Sequence, residues 1–321
     1  MNVKSRARLG AVISVAALAV GALAAPAVAD PADGSHRLLA GVGSDTTQDV
    51  VNGLSESVDG GGTIASYNAT GSATIQTRDT GCVINRPDGS SAGIDALRNA
   101  VDNNTGCLDF ARSSRGPADT TTNDLTWIPF AKDAVTVAVR SDSALNSNLD
   151  LTTAQLAAVY KCQTTTLDGV TLAPLLPQAN SGTRTFFLAQ IGVAASEVGS
   201  CVGTMQEHNG VELTAAGNIA PYSVAQYIAQ TGGVVTDRHG ATVLGKVNGV
   251  APVNADGTLN VSFPYARDVY DVVPTAKLTD AVIAPTFVGA SSGVCSDTAT
   301  IELYGFGAIS NCGATTLKGE R

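Results

Sequence analysis

Histidine is scarce in this chain: His36, His208 and His239 are the only three among 321 residues. Basic side chains are also few, with 19 Lys and Arg against 28 Asp and Glu and a net charge of −9. The six cysteines include no C-x-x-C pair and lie near no histidine-rich run, so the spacing that marks zinc sites is missing. The acidic balance excludes nucleic acid and anionic membrane as natural partners. No segment repeats at a fixed short period, which excludes a solenoid. No cofactor is expected.

The first segment reads as a leader rather than as part of the fold. Lys4, Arg6 and Arg8 precede an apolar stretch from Leu9 to about Ala25, and Ala27-Val28-Ala29 ends it before Asp30. Basic region, apolar region and small-x-small end form a secretory signal over residues 1–29. Its roughly 15 apolar residues are short for a membrane span, so no stable membrane insertion is expected. No Cys stands near the cleavage point to carry a lipid anchor, and a secreted, extracytoplasmic protein is the expectation. Removing the leader leaves 16 basic against 28 acidic side chains. Any anion site must therefore be built locally, against the field of the whole molecule.

In an exported chain, six cysteines are read as three disulfides. Fifteen connectivities are open. Sequential pairing, Cys82–Cys107, Cys162–Cys201 and Cys295–Cys312, closes three local loops and keeps each bridge within one lobe; it is the expected pattern.

Nearly 300 mature residues exceed the usual single core. Strand-length apolar runs alternate with amphipathic stretches. Leu38–Val42, Thr63–Tyr67 and Leu108–Ala111 read as strands, and Thr47–Val58 and Ser91–Val101 as helices. Such alternation predicts an α/β fold with mixed sheets covered by helices. Asp133–Arg140 (DAVTVAVR) reads as a strand leaving this block, and Val261–Tyr270 (VSFPYARDVY) as a strand returning to it. Between them lie helix candidates at Thr152–Tyr160, Thr183–Ile191 and Tyr222–Gln230, then a hairpin-like stretch over Val234–Gly257. The chain is thus expected to form two lobes, one from residues 30–134 with 262–321 and the other from 135–261. Two crossover strands would join them as a hinge. A monomer is expected.

Four segments place glycine and small hydroxyl residues at helix starts: Gly43-Ser44-Asp45-Thr46-Thr47, Asp88-Gly89-Ser90-Ser91-Ala92-Gly93, Arg112-Ser113-Ser114-Arg115-Gly116 and Asn180-Ser181-Gly182-Thr183-Arg184. Helix N-termini offer free N–H groups and a positive dipole end to anions, and hydroxyls add donors without adding charge. Each segment alone is explained as well by capping. Four of them, drawn from both lobes, point to one shared site.

The order and spacing of these segments resemble the phosphate-binding proteins of ATP-driven uptake systems, within the type-II periplasmic binding-protein family. The matching stretches are GVGSDTT, RPDGSSAGIDAL, LDFARSSRGP, DAVTVAVR, LTTAQLAAVYKC, ANSGTRTFFLAQIG, GNIAPYSVAQYI and FPYARDVYDVV, from about Leu38 to Val273. The resemblance implies a two-lobed type-II fold, an ABC permease as partner and a tetrahedral oxyanion, phosphate, held between the lobes without chemistry. It implies anion donors at Thr46 and Thr47, at Ser90 with Ser91 beside it, and at Ser114. Ser181, Gly182 and Thr183 would close from the second lobe.

Two positions depart from that pattern. Where many family members carry an Asp that accepts the proton of hydrogen phosphate, this chain has Arg115. Arg115 is able to pair with a dianion but not to accept a proton, which puts the usual rejection of sulfate in doubt. The Arg often found before the Ser-Gly-Thr turn is replaced by Pro177-Gln178; Arg184 either substitutes for it or faces solvent.

Three other readings compete. An exported anion-binding protein uncoupled from transport needs the same clamp. Gly89-Ser90-Ser91-Ala92-Gly93 fits the G-x-S-x-G pattern of serine esterases with Ser91 as nucleophile, but Arg86-Pro87-Asp88 before it does not suit a buried strand. The three histidines are expected to be exposed and structural. A phosphatase lacks a visible metal cluster or a nucleophile with its base, and capping of the following helix accounts for Asp45.

Overall fold

The computed structural model describes residues 30–320 apart from Asp33; the leader assigned to residues 1–29 lies outside the described residues. Among the described residues, no helix is long and apolar enough to cross a membrane.

Strand β1 (Leu39–Gly43) is buried along its whole length and pairs in parallel with β2 (Ile64–Ser66) and β3 (Phe110–Ser113). Two helices fill the connections, as parallel pairing requires. Helix α1 (Gln48–Ser57) buries Val50, Val51 and Leu54 on one face, and α2 (Ser90–Asp102) buries Ile94, Leu97 and Ala100. Gly89, just before α2, has φ 99°, and a Cβ there would stand 2.5 Å from the carbonyl oxygen of Asn180. Glycine is needed at this position both for its backbone angle and for its close approach.

The long strand β4 (Leu125–Arg140) holds the molecule together. Its first half runs antiparallel to β9 (Ala266–Pro274), which also pairs with β3. Its second half runs antiparallel to β7 (Asn218–Ser223) and to the short β8 (Thr242–Leu244). Parallel to β7 lies β5 (Ala173–Pro177), with β6 (Gly203–Met205) beyond it. The full order is β6-β5-β7-β4-β9-β3-β1-β2, with β8 added to β4. Helices α3 (Thr153–Tyr160), α4 (Gly182–Gln190) and α5 (Val224–Thr231) belong to the second half. The result is a two-lobed α/β fold in which one sheet curls through both lobes.

The register of β9 against β4 shifts between Val269, opposite Ala131, and Tyr270, opposite Pro129, leaving Phe130 as the extra residue. A bulge is where a strand tolerates a proline that has no N–H to donate. One large apolar cluster runs from Val50, Leu54 and Phe110 through Val135 and Val137 to Leu176 and Phe187. A second packs α2 and Trp127 against Ala40, Val42 and Ala65.

The returning strand differs from the sequence expectation: it begins at Ala266 rather than Val261. Residues 261–265 form turns instead, with Phe263 N donating to Asn260 O at 2.9 Å and Ala266 N to Phe263 O at 3.0 Å. The side chain of Asn260 also accepts from Ser262 N at 3.0 Å, and Pro264 supplies no donor for a ladder. The disulfides are Cys82–Cys107, Cys162–Cys201 and Cys295–Cys312, and no cysteine among the described residues is free. The C-terminal segment returns to β4, where Trp127 Nε1 donates to Gly319 O at 2.9 Å.

Candidate functional site

The turn after β1, the start of α2, the turn after β3 and the start of α4 meet between the lobes. Thr46 Oγ1 lies 3.0 Å from Thr183 Oγ1 and donates to Glu207 Oε2 at 2.9 Å. Ser90 Oγ lies 3.3 Å from Ser114 Oγ and accepts from Ser114 N at 3.1 Å. Gly182 presses against this pair: a Cβ on it would stand 2.3 Å from Ser90 Oγ and 2.4 Å from Ser114 Oγ. Thr46, Thr47, Ser90, Ser114, Ser181 and Thr183 are all buried. Of the nine residues singled out from the sequence, Thr46, Ser90, Ser114, Gly182 and Thr183 form this contact cluster.

The remaining four sit at its margin. Thr47 is the residue before α1 but makes no side-chain capping bond, and its buried hydroxyl has no partner among the described residues. Ser181 behaves as the conventional cap: its hydroxyl accepts from Arg184 N at 3.0 Å while its own N–H is taken by Gln178 O at 3.0 Å. The first N–H groups of α4, on Gly182 and Thr183, are those a helix leaves without internal partners. Ser91 Oγ accepts from Arg115 at 3.0 Å, and its N–H donates across the cleft to Asn180 O at 3.2 Å. The Arg115 guanidinium also donates to Gly116 O and lies 5.8 Å from the centre of the Trp127 ring. It therefore braces the α2 start through Ser91.

Asp45 does not cap α1 with its side chain. Gln206 Nε2 donates to Asp45 Oδ2 at 2.8 Å, and His208 Nε2 lies 3.6 Å from Asp45 Oδ1. His208 is buried rather than exposed. Tyr222 Oη donates to its backbone oxygen at 2.7 Å, and Arg238 lies 3.0 Å from its Nε2. Burial first, then the charges of Arg238 and Arg267, hold this imidazole well below its usual pKa, so it stays neutral. His36 and His239 lie beside Asp79 and Asp237. The hydrogen-bond partner of the Ser91 hydroxyl is a guanidinium, which does not take up its proton; no activated nucleophile is built there.

Arg112 and Arg184 take structural partners. Arg112 is fully buried and donates to Ser66 Oγ at 2.9 Å and to Tyr67 O at 2.8 Å. Arg184 donates to Pro177 O at 2.9 Å.

The cation that does reach the cluster is Arg267, at the start of β9. Its NH2 donates to Thr183 Oγ1 at 2.9 Å and to Asp133 Oδ2 at 2.8 Å, and its buried NH1 has no partner among the described residues. Asp133 in turn accepts from Ser223 Oγ and from Ala225 N, the latter at 3.1 Å. It thus holds the guanidinium and the α5 start together. Arg267 and Glu207 are the two site residues that sequence reasoning did not single out. Arg267 stood inside the quoted FPYARDVY stretch, where it read as strand. Glu207 followed Gln206 in a polar run and gave no signal.

Two α/β lobes that bury small hydroxyls and one arginine where they meet have the architecture of the periplasmic-binding-protein type of fold. The PBP superfamily domain matches residues 35–288, and the chain belongs to that superfamily. Among solved structures, it is similar to one named as a phosphate ABC transporter substrate-binding protein with bound phosphate from Clostridium perfringens. That match has a TM-score of 0.60 at 16% identity, covering 85% of this chain and 99% of the other. It is also similar to an ABC-type phosphate transport receptor from Vibrio cholerae, with a TM-score of 0.57 at 18% identity over 84% of this chain and 100% of the other. At these identities the likeness establishes the type-II fold. No curated protein matches the sequence.

Proposed function

We propose that the protein captures a tetrahedral oxyanion, phosphate, between its lobes and serves as the extracytoplasmic binding component of ABC-type uptake. The observation that carries this reading is the meeting of Thr46 with Thr183 and of Ser90 and Ser114 with Gly182 across the cleft. Neutral donors with one paired arginine suit an anion in an acidic protein, because they supply hydrogen bonds without requiring a large positive field. Arg267 is the charged ligand in this reading, and its unpartnered NH1 is the donor it offers. The lobes divide as residues 30–134 with 262–321 and 135–261, hinged where β4 passes from one to the other. Further bonds cross the cleft, including Gln178 Nε2 to Asp88 Oδ1 and Gln226 Nε2 to Thr46 O, both at 2.8 Å. These belong to the closed state that ligand binding favours. The names of the two relatives agree with phosphate as the solute and with a permease as partner.

Calorimetric titration with phosphate, arsenate and sulfate tests this assignment. Saturable one-to-one heat with phosphate is expected. Absence of heat with every tetrahedral oxyanion overturns it.

A further inference from the structure

Arg238 stands on the second lobe, between α5 and β8, and makes no salt bridge among the described residues. Its neighbour Asp237 is taken by His239 at 2.5 Å. The NH2 of Arg238 lies 3.0 Å from His208 Nε2. A guanidinium only donates, so this ring nitrogen accepts and the contact neutralises no charge. The same Nε2 lies 3.6 Å from Asp45 Oδ1, a buried oxygen with no hydrogen-bond partner among the described residues. The line from Arg238 through His208 to Asp45 therefore crosses from the second lobe to the first. A cavity of about 230 Å³ opens on the same seam, lined by Asp49 and Asn68 from the first lobe and by Thr236 and Arg238 from the second.

Asp45 and Asp49 are acidic groups of the first lobe that closure covers. The side chains that reach them across the seam with hydrogen bonds are neutral: Gln206 Nε2 donates to Asp45 Oδ2 at 2.8 Å and Gln226 Nε2 to Asp49 Oδ2 at 3.1 Å. Amides supply hydrogen bonds but no charge, and a carboxylate taken out of water without a counter-charge is costly. Burial raises both carboxyls, and the Arg238 charge is the largest influence opposing that rise at each. Arg112 opposes it more weakly. It belongs to β3 of the first lobe and stays with Asp45 and Asp49 whether the lobes are apart or together. Glu207 arrives with the second lobe and brings charge of the wrong sign towards Asp45, which increases the need for a cation. Arg238 arrives by the same movement.

We infer that Arg238 is the counterion of closure: carried on the second lobe, it supplies the positive charge against which Asp45 and Asp49 of the first lobe are buried when the lobes meet. It is a positioning residue outside the hydroxyl cluster and acts on anion retention through the closed state. The inference rests on the lobe closure proposed above. Apparent affinity scales with the fraction of the protein that reaches the binding-competent arrangement. Opening returns all three charges to water, where their mutual attraction is weak.

A double-mutant cycle read by calorimetry with inorganic phosphate tests this, using Arg238→Gln, Asp49→Asn and the two together. Arg238→Gln keeps an N–H for His208 and removes the charge, and its phosphate Kd is expected to rise by about tenfold. Direct effects of the two charges on the anion add independently, whereas a closure counterion couples them. Asp49→Asn is therefore expected to favour phosphate binding at least about threefold more in the Arg238→Gln background than in the wild type. Arg238→Lys keeps the charge and is expected to stay within about threefold of wild-type affinity. An additive cycle overturns the inference, and so does wild-type affinity in Arg238→Gln. If Arg238→Gln does not fold, Arg238→Lys decides alone: a larger loss than that means that the bond to His208 matters rather than the charge, and overturns it. A wild type that binds no tetrahedral oxyanion overturns the oxyanion reading itself, and this inference with it. Wild-type binding with an additive cycle sinks the inference alone.

Discussion

Thr46 Oγ1 and Thr183 Oγ1 lie 3.0 Å apart although 137 positions separate them in the chain. One follows the first strand of the first lobe, and the other opens a helix of the second. Their contact exists only when the lobes meet, so a change at either hydroxyl tests the proposed closure over an anion. Thr183→Val keeps the shape and removes the hydroxyl, while Arg267 retains Asp133. Loss of one hydrogen bond to a charged ligand is worth about 2 kcal/mol, roughly thirtyfold in Kd. Phosphate titration of the variant reads this directly. Wild-type affinity in Thr183→Val would remove Thr183 from the site.

Gly182 offers a steric test of the same closure. Any side chain there must pass through Ser90 Oγ and Ser114 Oγ, each within 2.4 Å of the Cβ position. Gly182→Ala is therefore expected to hold the lobes apart or to displace two of the hydroxyls proposed to meet the anion. Overpacking of this kind costs about 2–3 kcal/mol, roughly 30- to 140-fold in phosphate affinity. Small-angle scattering should show the wild type compacting with phosphate and Gly182→Ala staying extended. Compaction of the variant equal to that of the wild type would contradict the contact.

What could be read from the sequence followed what is local in the chain. The helices over Gln48–Ser57, Ser90–Asp102 and Gly182–Gln190 announced themselves through apolar periodicity and hydroxyl-glycine starts. The disulfides followed from neighbouring cysteines. The turn over 261–265 was hidden because VSFPYARDVY has strand-like composition, and only Pro264 and Asn260 hinted at a break. Arg267 and Glu207 were hidden for a different reason: a buried ion or carboxyl is set by partners 84 and 161 positions away, and periodicity carries no such information. Asp45 and His208 show the same limit. A local rule made one a cap and the other a surface residue, and their mutual burial across the cleft overrode both.

Asp133 and Arg267 form a buried ion pair at 2.8 Å, with both side chains almost wholly out of solvent. Removing one partner of such a pair leaves the other charge buried and uncompensated, at a cost of about 3–5 kcal/mol. Asp133→Ala also frees Ser223 Oγ and Ala225 N, so its unfolding free energy from urea titration should fall by the upper part of that range. Arg267→Met, which fills similar volume, should unfold earlier by less than Asp133→Ala and should lose phosphate binding by more than about thirtyfold. Equal binding by Arg267→Met and the wild type would leave the cleft without its charged ligand.

Asp271 lies opposite Arg112 in the β9–β3 ladder, with both carboxyl oxygens buried and unpartnered among the described residues. Burial raises it to about 7 from an ordinary carboxyl value, and Arg112 only partly offsets the rise. Between those two values the folded protein holds a proton that the unfolded chain releases. The stability linked to Asp271 is therefore fully present below about pH 4 and is lost as pH rises through about 7. Urea unfolding of the ligand-free protein at stepped pH should show stability falling across that window. Asp271→Asn mimics the protonated side chain and should reduce the slope by about one proton. Glu207, raised to a similar value, contributes the same sign, so the double variant with Glu207→Gln should be flatter still. An unchanged slope in Asp271→Asn would mean that the Asp271 carboxyl is ionised throughout the window and that Arg112 compensates its burial in full.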